Sequence, residues 1–107
     1  MRIRKWSRIP KLPLADVEGV SIQRLGRAGV AELKAFTLDP GAITQPHDHA
    51  HTHLVLVLAG SGAVRSGATT QPIGTGDVVA TEPHEVHGFM AAPDLDLRFV
   101  CLDPPME

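Results

Sequence analysis

The stretch "PHDHAHTHLVLVLAG", residues 46–60, decides how this chain is read. Four of the six histidines fall within it, at positions 47, 49, 51 and 53. Neutral imidazole is the commonest metal ligand among side chains. A helix would set His49 and His53 on one face, but Pro46 in front and the valine-rich run behind favour strand. In a strand His47 and His49 point the same way with Cα atoms ~6.6 Å apart, which suits two ligands of one ion. His53 on the same straight strand would lie ~20 Å from His47, out of reach of a shared ion with bonds near ~2.1 Å. If His53 is also a ligand, the chain must reverse at Ala50-His51-Thr52. Such a hairpin leaves His51 at the turn, pointing outward.

The run after the histidines is apolar on both faces. His53, Val55 and Val57 share one face, and Leu54, Leu56 and Leu58 share the other. Both faces then need cover. A two-fold partner would cover the leucines, giving a homodimer, and the rival is the chain's own segment around Leu12 and Leu14.

Outward from this stretch the chain is short, strand-rich and punctuated. Its 107 residues fit one domain, expected as a barrel over about 20–102, an N-terminal basic segment over 1–19 and a short tail over 103–107. Candidate strands lie at about 20–25, 29–38, 43–49, 53–59, 62–66, 77–81, 86–91 and 95–102. Turn signals separate them, among them Asp39-Pro40-Gly41, Gly60-Ser61-Gly62 and Pro72 to Gly76. Many short strands with regular turns indicate an all-β sandwich or barrel. In the last strand Leu95, Leu97, Phe99 and Cys101 share an apolar face opposite Asp96 and Arg98.

Charge and composition exclude several classes. Residues 1–11 carry five Lys or Arg and no acid, while the remainder carries five basic and 12 acidic residues. With four aromatics and no tyrosine there is no stacking platform for bases, so no nucleic-acid partner is expected. The basic segment reads as a charged, solvated edge. No apolar run is long enough to span a bilayer, and no secretory signal is recognised, so no membrane partner is expected. The lone Cys101 excludes an internal disulfide and makes a cytoplasmic setting the expectation.

The second histidine-bearing stretch is "TEPHEVHGF", residues 81–89. His87 falls in a strand whose alternate residue, Phe89, looks inward, while His84 follows Pro83 in a turn. The expected ligand set is therefore His47, His49, His53 and His87, with His51 and His84 outside it. The support for His87 comes chiefly from a resemblance.

"GAITQPHDHAHTHLVLVLAG" resembles the first cupin motif, G-x5-H-x-H-x3-E-x6-G, with Gly41, His47, His49 and Gly60 in register and His53 at the glutamate position. "GDVVATEPHEVHGF" resembles the second, G-x5-P-x-G-x2-H, through Gly76 and His87. Glu82 and His84 stand where that motif has proline and glycine, and Ala91 stands where it has a trailing asparagine. The exchange at 53 is similar to small single-domain cupins with a four-histidine, manganese-binding site. The resemblance implies an all-β double-stranded β-helix, or jelly-roll barrel. It also implies a metal inside one end and a frequent homodimer. It fixes no activity, since cupins include dioxygenases, isomerases, lyases and binding proteins.

Four imidazoles leave the full charge of a divalent ion uncompensated, which strengthens its Lewis acidity and favours its lower oxidation state. Mn or Fe is the expected cofactor. Ni, Zn or Cu is expected in purified samples, because nitrogen donors bind them more tightly. The cavity walls are expected from Val55, Val57, Phe89, Phe99 and Cys101. They would form a small apolar pocket poor in acid–base groups, suited to a weakly polar organic molecule. No side-chain nucleophile is recognised and the catalytic residues are not assigned. Oxidative chemistry with O2 or peroxide is the leading expectation. A redox-neutral isomerase or lyase and a non-catalytic binding protein are the alternatives.

Overall fold

The computed structural model describes residues 1–44, 46, 48 and 52–103. Among the described residues a 3-10 turn at Trp6–Arg8 is followed by eight strands: β1 (Leu12–Pro13), β2 (Val20–Ala28), β3 (Ala31–Leu38), β4 (His53–Ser66), β5 (Thr69–Gly74), β6 (Val78–Thr81), β7 (His87–Ala91) and β8 (Leu97–Asp103). All pairings are antiparallel. The first half of β4 lies between β8 and β6, in a sheet that continues through β3 and β2 to β1. Its second half lies between β5 and β7 in the opposing sheet. β4 thus passes from one sheet to the other, and the two sheets close as the all-β jelly-roll barrel expected from the sequence.

The crossing depends on two glycines. Gly60 has φ +87°, and a Cβ there would fall 1.7 Å from the Asp96 carbonyl oxygen. A Cβ on Gly62 would fall 2.0 Å from the Met90 carbonyl oxygen. Only a residue without a side chain lets the neighbouring strands come this close.

Inward-facing side chains follow the two-residue period of each strand. Leu38, Leu97, Val55 and Val57 are the largest fully buried side chains, each contributing about 1.5–3 kcal/mol by burial. Phe99 lies between Phe36 and Phe89, with ring centroids 5.4 and 4.7 Å away. Among the described residues no helix is long and apolar enough to cross a membrane.

Several expectations need correction. The candidate strands at 53–59 and 62–66 are one 14-residue strand, because Gly60-Ser61-Gly62 bends the chain without ending the ladder. Residues 69–74, partly read as turn, form β5, and Pro72 is tolerated there beside a single neighbouring strand. Leu95 lies outside β8 and is 51% exposed, so the buried face starts at Leu97. Of the candidate strand at 43–49, Ile43 forms an isolated bridge to Met90, while Gln45, His47 and His49 lie outside the described residues.

The N-terminal segment lies on the outside of the large sheet. Trp6 Nε1 donates to Gln23 Oε1 at 3.0 Å, and Gln23 Nε2 donates to the Ile9 carbonyl at 2.9 Å. The Arg98 guanidinium lies 5.1 Å from the Trp6 ring centre. Leu14 packs against the core, so this segment leaves Leu54 and Leu56 exposed, at 47% and 41%.

Candidate functional site

One end of the barrel holds a cavity of about 390 Å³. Strand register explains its walls. Ile22 pairs with Phe36, and Phe36 with Phe99, giving one inward row. One step nearer the rim, Arg24 pairs with Lys34, Lys34 with Cys101, and Cys101 with Val55. His53 is the next inward residue on β4 beyond Val55 and begins the strand. His87 begins β7 on the opposing sheet, directly before the inward Phe89 by the same alternation. The cavity therefore grades from an aromatic floor to a rim bearing imidazole, thiol and cationic groups.

Both histidines are nearly withdrawn from solvent, His53 at 9% and His87 at 3% exposure. Their ring centroids are 6.2 Å apart with planes inclined by 51°. His87 Nδ1 lies 2.8 Å from the Glu85 carbonyl oxygen. A carbonyl only accepts, so Nδ1 is the donor in this contact, and in the neutral ring Nε2 is then the ligating nitrogen. That is the state of a histidine ready to ligate a metal through Nε2. His53 is held by its backbone N–H, which donates to Thr81 Oγ1 at 3.2 Å, and by Cys101 Sγ, 3.3 Å from its Nδ1. Thr44 ties the segment before the histidine cluster to β7: its N–H donates to the Phe89 carbonyl, and its hydroxyl accepts from Phe89 N at 2.8 Å.

The turn before His87 is locally built. Ser66 donates its hydroxyl to Glu85 at 2.6 Å, and Glu82 N–H donates to the same carboxylate at 3.0 Å. These bonds, the serine's first, hold the Glu85 carboxyl below its ordinary value. His84 adopts φ +64° in this turn and places Nδ1 3.6 Å from Asp48 Oδ2. This is the position where the second cupin motif has glycine, and the positive φ is the reason. A second cavity of about 490 Å³ opens beside His87, with Ser66, Gln71, Asp77 and Glu85 in its walls.

A family model described as the cupin domain matches residues 35–103. The chain belongs to the cupin family. Among solved structures, this cupin is similar to the polyketide cyclase RemF from Streptomyces resistomycificus, with TM-score 0.92, 23% identity and coverage of 99% of this chain and 80% of that one. It is also similar to Rru_A2000 from Rhodospirillum rubrum, a cupin-2 domain, with TM-score 0.82, 26% identity and coverage of 98% and 78%. A predicted oxalate decarboxylase from Thermotoga maritima gives TM-score 0.84 and 22% identity, with coverage of 94% and 96%. No curated protein matches the chain.

Of the four expected ligands, the structure brings His53 and His87 to the same cavity, and His47 and His49 lie outside the described residues, as does His51. Among the described residues no group of three or more His, Cys, Asp or Glu side chains is arranged to hold a metal. Of the side chains named for the cavity walls, Val55, Phe89, Phe99 and Cys101 line this cavity, and Val57 is buried in the core. Arg24 and Lys34, which the expected walls did not include, also line the cavity, together with Thr44 and Phe36. A signal for both was available. Each continues an inward two-residue alternation, Val20-Ile22-Arg24 on β2 and Leu38-Phe36-Lys34 on β3.

Proposed function

We propose that this cupin is a small metalloenzyme holding one divalent transition metal through His47, His49, His53 and His87. The observation that carries the reading is the His87 ring. It is buried at a cavity wall, sets Nδ1 against the Glu85 carbonyl, and lines the same cavity as His53. Imidazole donors suit a borderline divalent ion. Mn or Fe is the proposed cofactor, and when bound it supplies Lewis acidity together with one-electron redox chemistry. The proposed reaction is oxidative, using O2 or peroxide on a small organic molecule.

The chain's own residues do the rest. The aromatic floor of Phe36, Phe89 and Phe99 excludes water and seats an apolar body. The Glu85 carbonyl orients the His87 ring, Cys101 contacts the His53 ring, and Thr81 holds the His53 backbone. A redox-neutral isomerase or lyase is the second reading, favoured by Arg24 and Lys34, because cations at the wall stabilise charge developing on a substrate oxygen without electron transfer.

Alanine substitution of each of the six histidines, with metal content measured by mass spectrometry, tests the site. Loss of metal is expected at 47, 49, 53 and 87, and retention at 51 and 84. An empty site in His51→Ala with a full one in His53→Ala contradicts the assignment. Electron paramagnetic resonance of the anaerobically reconstituted protein, before and after O2 or peroxide, separates the readings. A change of oxidation state is expected, and a signal that never changes with turnover intact favours the redox-neutral reaction.

A further inference from the structure

We infer that the cavity selects a small organic carboxylate, gripping its anionic end with Arg24 and Lys34 and laying its apolar body on the Phe36–Phe99 floor. This names the substrate class of the site proposed above and rests on that reading for the chemistry, though not for the binding.

The cations sit at a defined place. Arg24, Lys34, Cys101 and Val55 form one continuous cross-strand row over β2, β3, β8 and β4. At ~4.8 Å per strand, Lys34 lies roughly 10 Å from Val55 by Cα, and Cys101 between them touches His53. A carboxylate held at Lys34 and Arg24 therefore brings the rest of a small molecule in front of His53 and His87. The remaining walls are apolar, chiefly Leu14, Val17, Ile22 and Phe36. Charge at one end and hydrocarbon elsewhere describe an amphipathic anion.

The competing explanation is that the cations only neutralise Glu32, a carboxylate 8% exposed. Arg24 Nη1 lies 2.8 Å from Glu32 Oε1, Lys34 Nζ 3.8 Å and Arg27 Nη2 3.9 Å. A buried carboxylate does require pairing. However, Arg24 meets that need through a single nitrogen, and a guanidinium carries five N–H donors in a fork that matches a carboxylate. Arg24 is also 58% exposed by side chain, and both it and Lys34 line the cavity. Glu32 orients the two cations, and the Arg24 fork keeps donors for a second carboxylate.

Isothermal titration with benzoate and with its neutral isostere benzamide tests the inference, using wild type, Arg24→Gln, Lys34→Gln, the double variant and Glu32→Gln. Benzoate should bind at least tenfold more tightly than benzamide. Each single substitution should cost about tenfold in benzoate affinity and leave benzamide unchanged. Glu32→Gln removes the competing carboxylate and should tighten benzoate binding. It also provides a background in which Arg24→Gln and Lys34→Gln leave no buried acid unpaired, should either single variant fail to fold. Equal binding of benzoate and benzamide, or unchanged benzoate affinity in the double variant, overturns the inference. Titration after chelation separates it from the metal reading. Benzoate binding that disappears with the metal assigns the anion to the ion and overturns the role of the cations. Benzoate binding that persists in a protein that never takes up metal upholds the cations and removes the proposed function.

Discussion

Cys101 Sγ lies 3.3 Å from His53 Nδ1, across the boundary between two paired strands of the large sheet. The thiol is 4% exposed, packed in the core cluster and reached only through the cavity wall, so it reacts slowly in the folded barrel. A thiol-specific chromogenic reagent should label native protein at least a hundredfold more slowly than protein in concentrated urea. Equal rates would show that the His53 end of the barrel opens freely.

Gly60→Ala and Gly62→Ala should each cost about 3 kcal/mol or more, since the added methyl meets backbone oxygen and the sheet must part to admit it. Gly41→Ala should cost only about 1–2 kcal/mol, because its φ is +77° but nothing lies within 4 Å. Urea titrations of the three variants give the ranking. Equal losses at 41 and 60 would show that the conformation, and not the close approach, sets the cost.

His84→Gly should leave stability within about 1 kcal/mol of wild type. Relief of the left-handed backbone is offset by the extra freedom of glycine in the unfolded chain. Metal content should not change. A loss of metal would place His84 inside the site.

Ser66→Ala should raise the Glu85 carboxyl toward its ordinary value, because the hydroxyl is the larger of the two bonds that lower it. The carboxylate is depressed in the folded protein, so its stabilising effect is present above the ordinary value and lost as pH falls through the lowered one. An NMR titration of the Glu85 carboxyl in both proteins reads the shift. An unchanged midpoint would assign the effect to the Glu82 amide.

The outer face of the large sheet carries Leu54 and Leu56 on β4, with Val78 on β6 and Leu102 on β8 beside them, all exposed. A homodimer through this face should sediment at twice 11.4 kDa at micromolar concentration. Leu54→Lys together with Leu56→Lys should return it to a monomer with the barrel intact. A wild-type monomer rejects the interface.

The strand carrying His53 and the strand carrying Phe99 are legible in the sequence, because each keeps its two-residue alternation through the part that packs. Placing the histidines at one end of a barrel rests on the resemblance to the cupin motifs, and of the four only His53 and His87 are seen at one cavity. What sequence reading misses has physical causes. Gly60 and Gly62 carry the same signature whether they end a strand or bend one, and only the approach of Asp96 and Met90 decides. Pro72 reads as a breaker although its place beside a single paired neighbour makes it harmless. Arg24 and Lys34 are overlooked because charge on an alternating strand is assigned to solvent. At the rim of a barrel the inward face is itself partly wet, and a charged group can stand there.

β4 belongs to both sheets without interruption, and this bears on how the molecule comes apart. Neither sheet can detach while the other persists, since the same backbone ribbon supplies hydrogen bonds to β8 and β6 on one side of Gly60 and to β5 and β7 on the other. The slowest-exchanging amides of the two sheets should therefore share a single opening free energy. A chain cut at Gly60 and mixed as two fragments would have to rebuild both sheets in one association step.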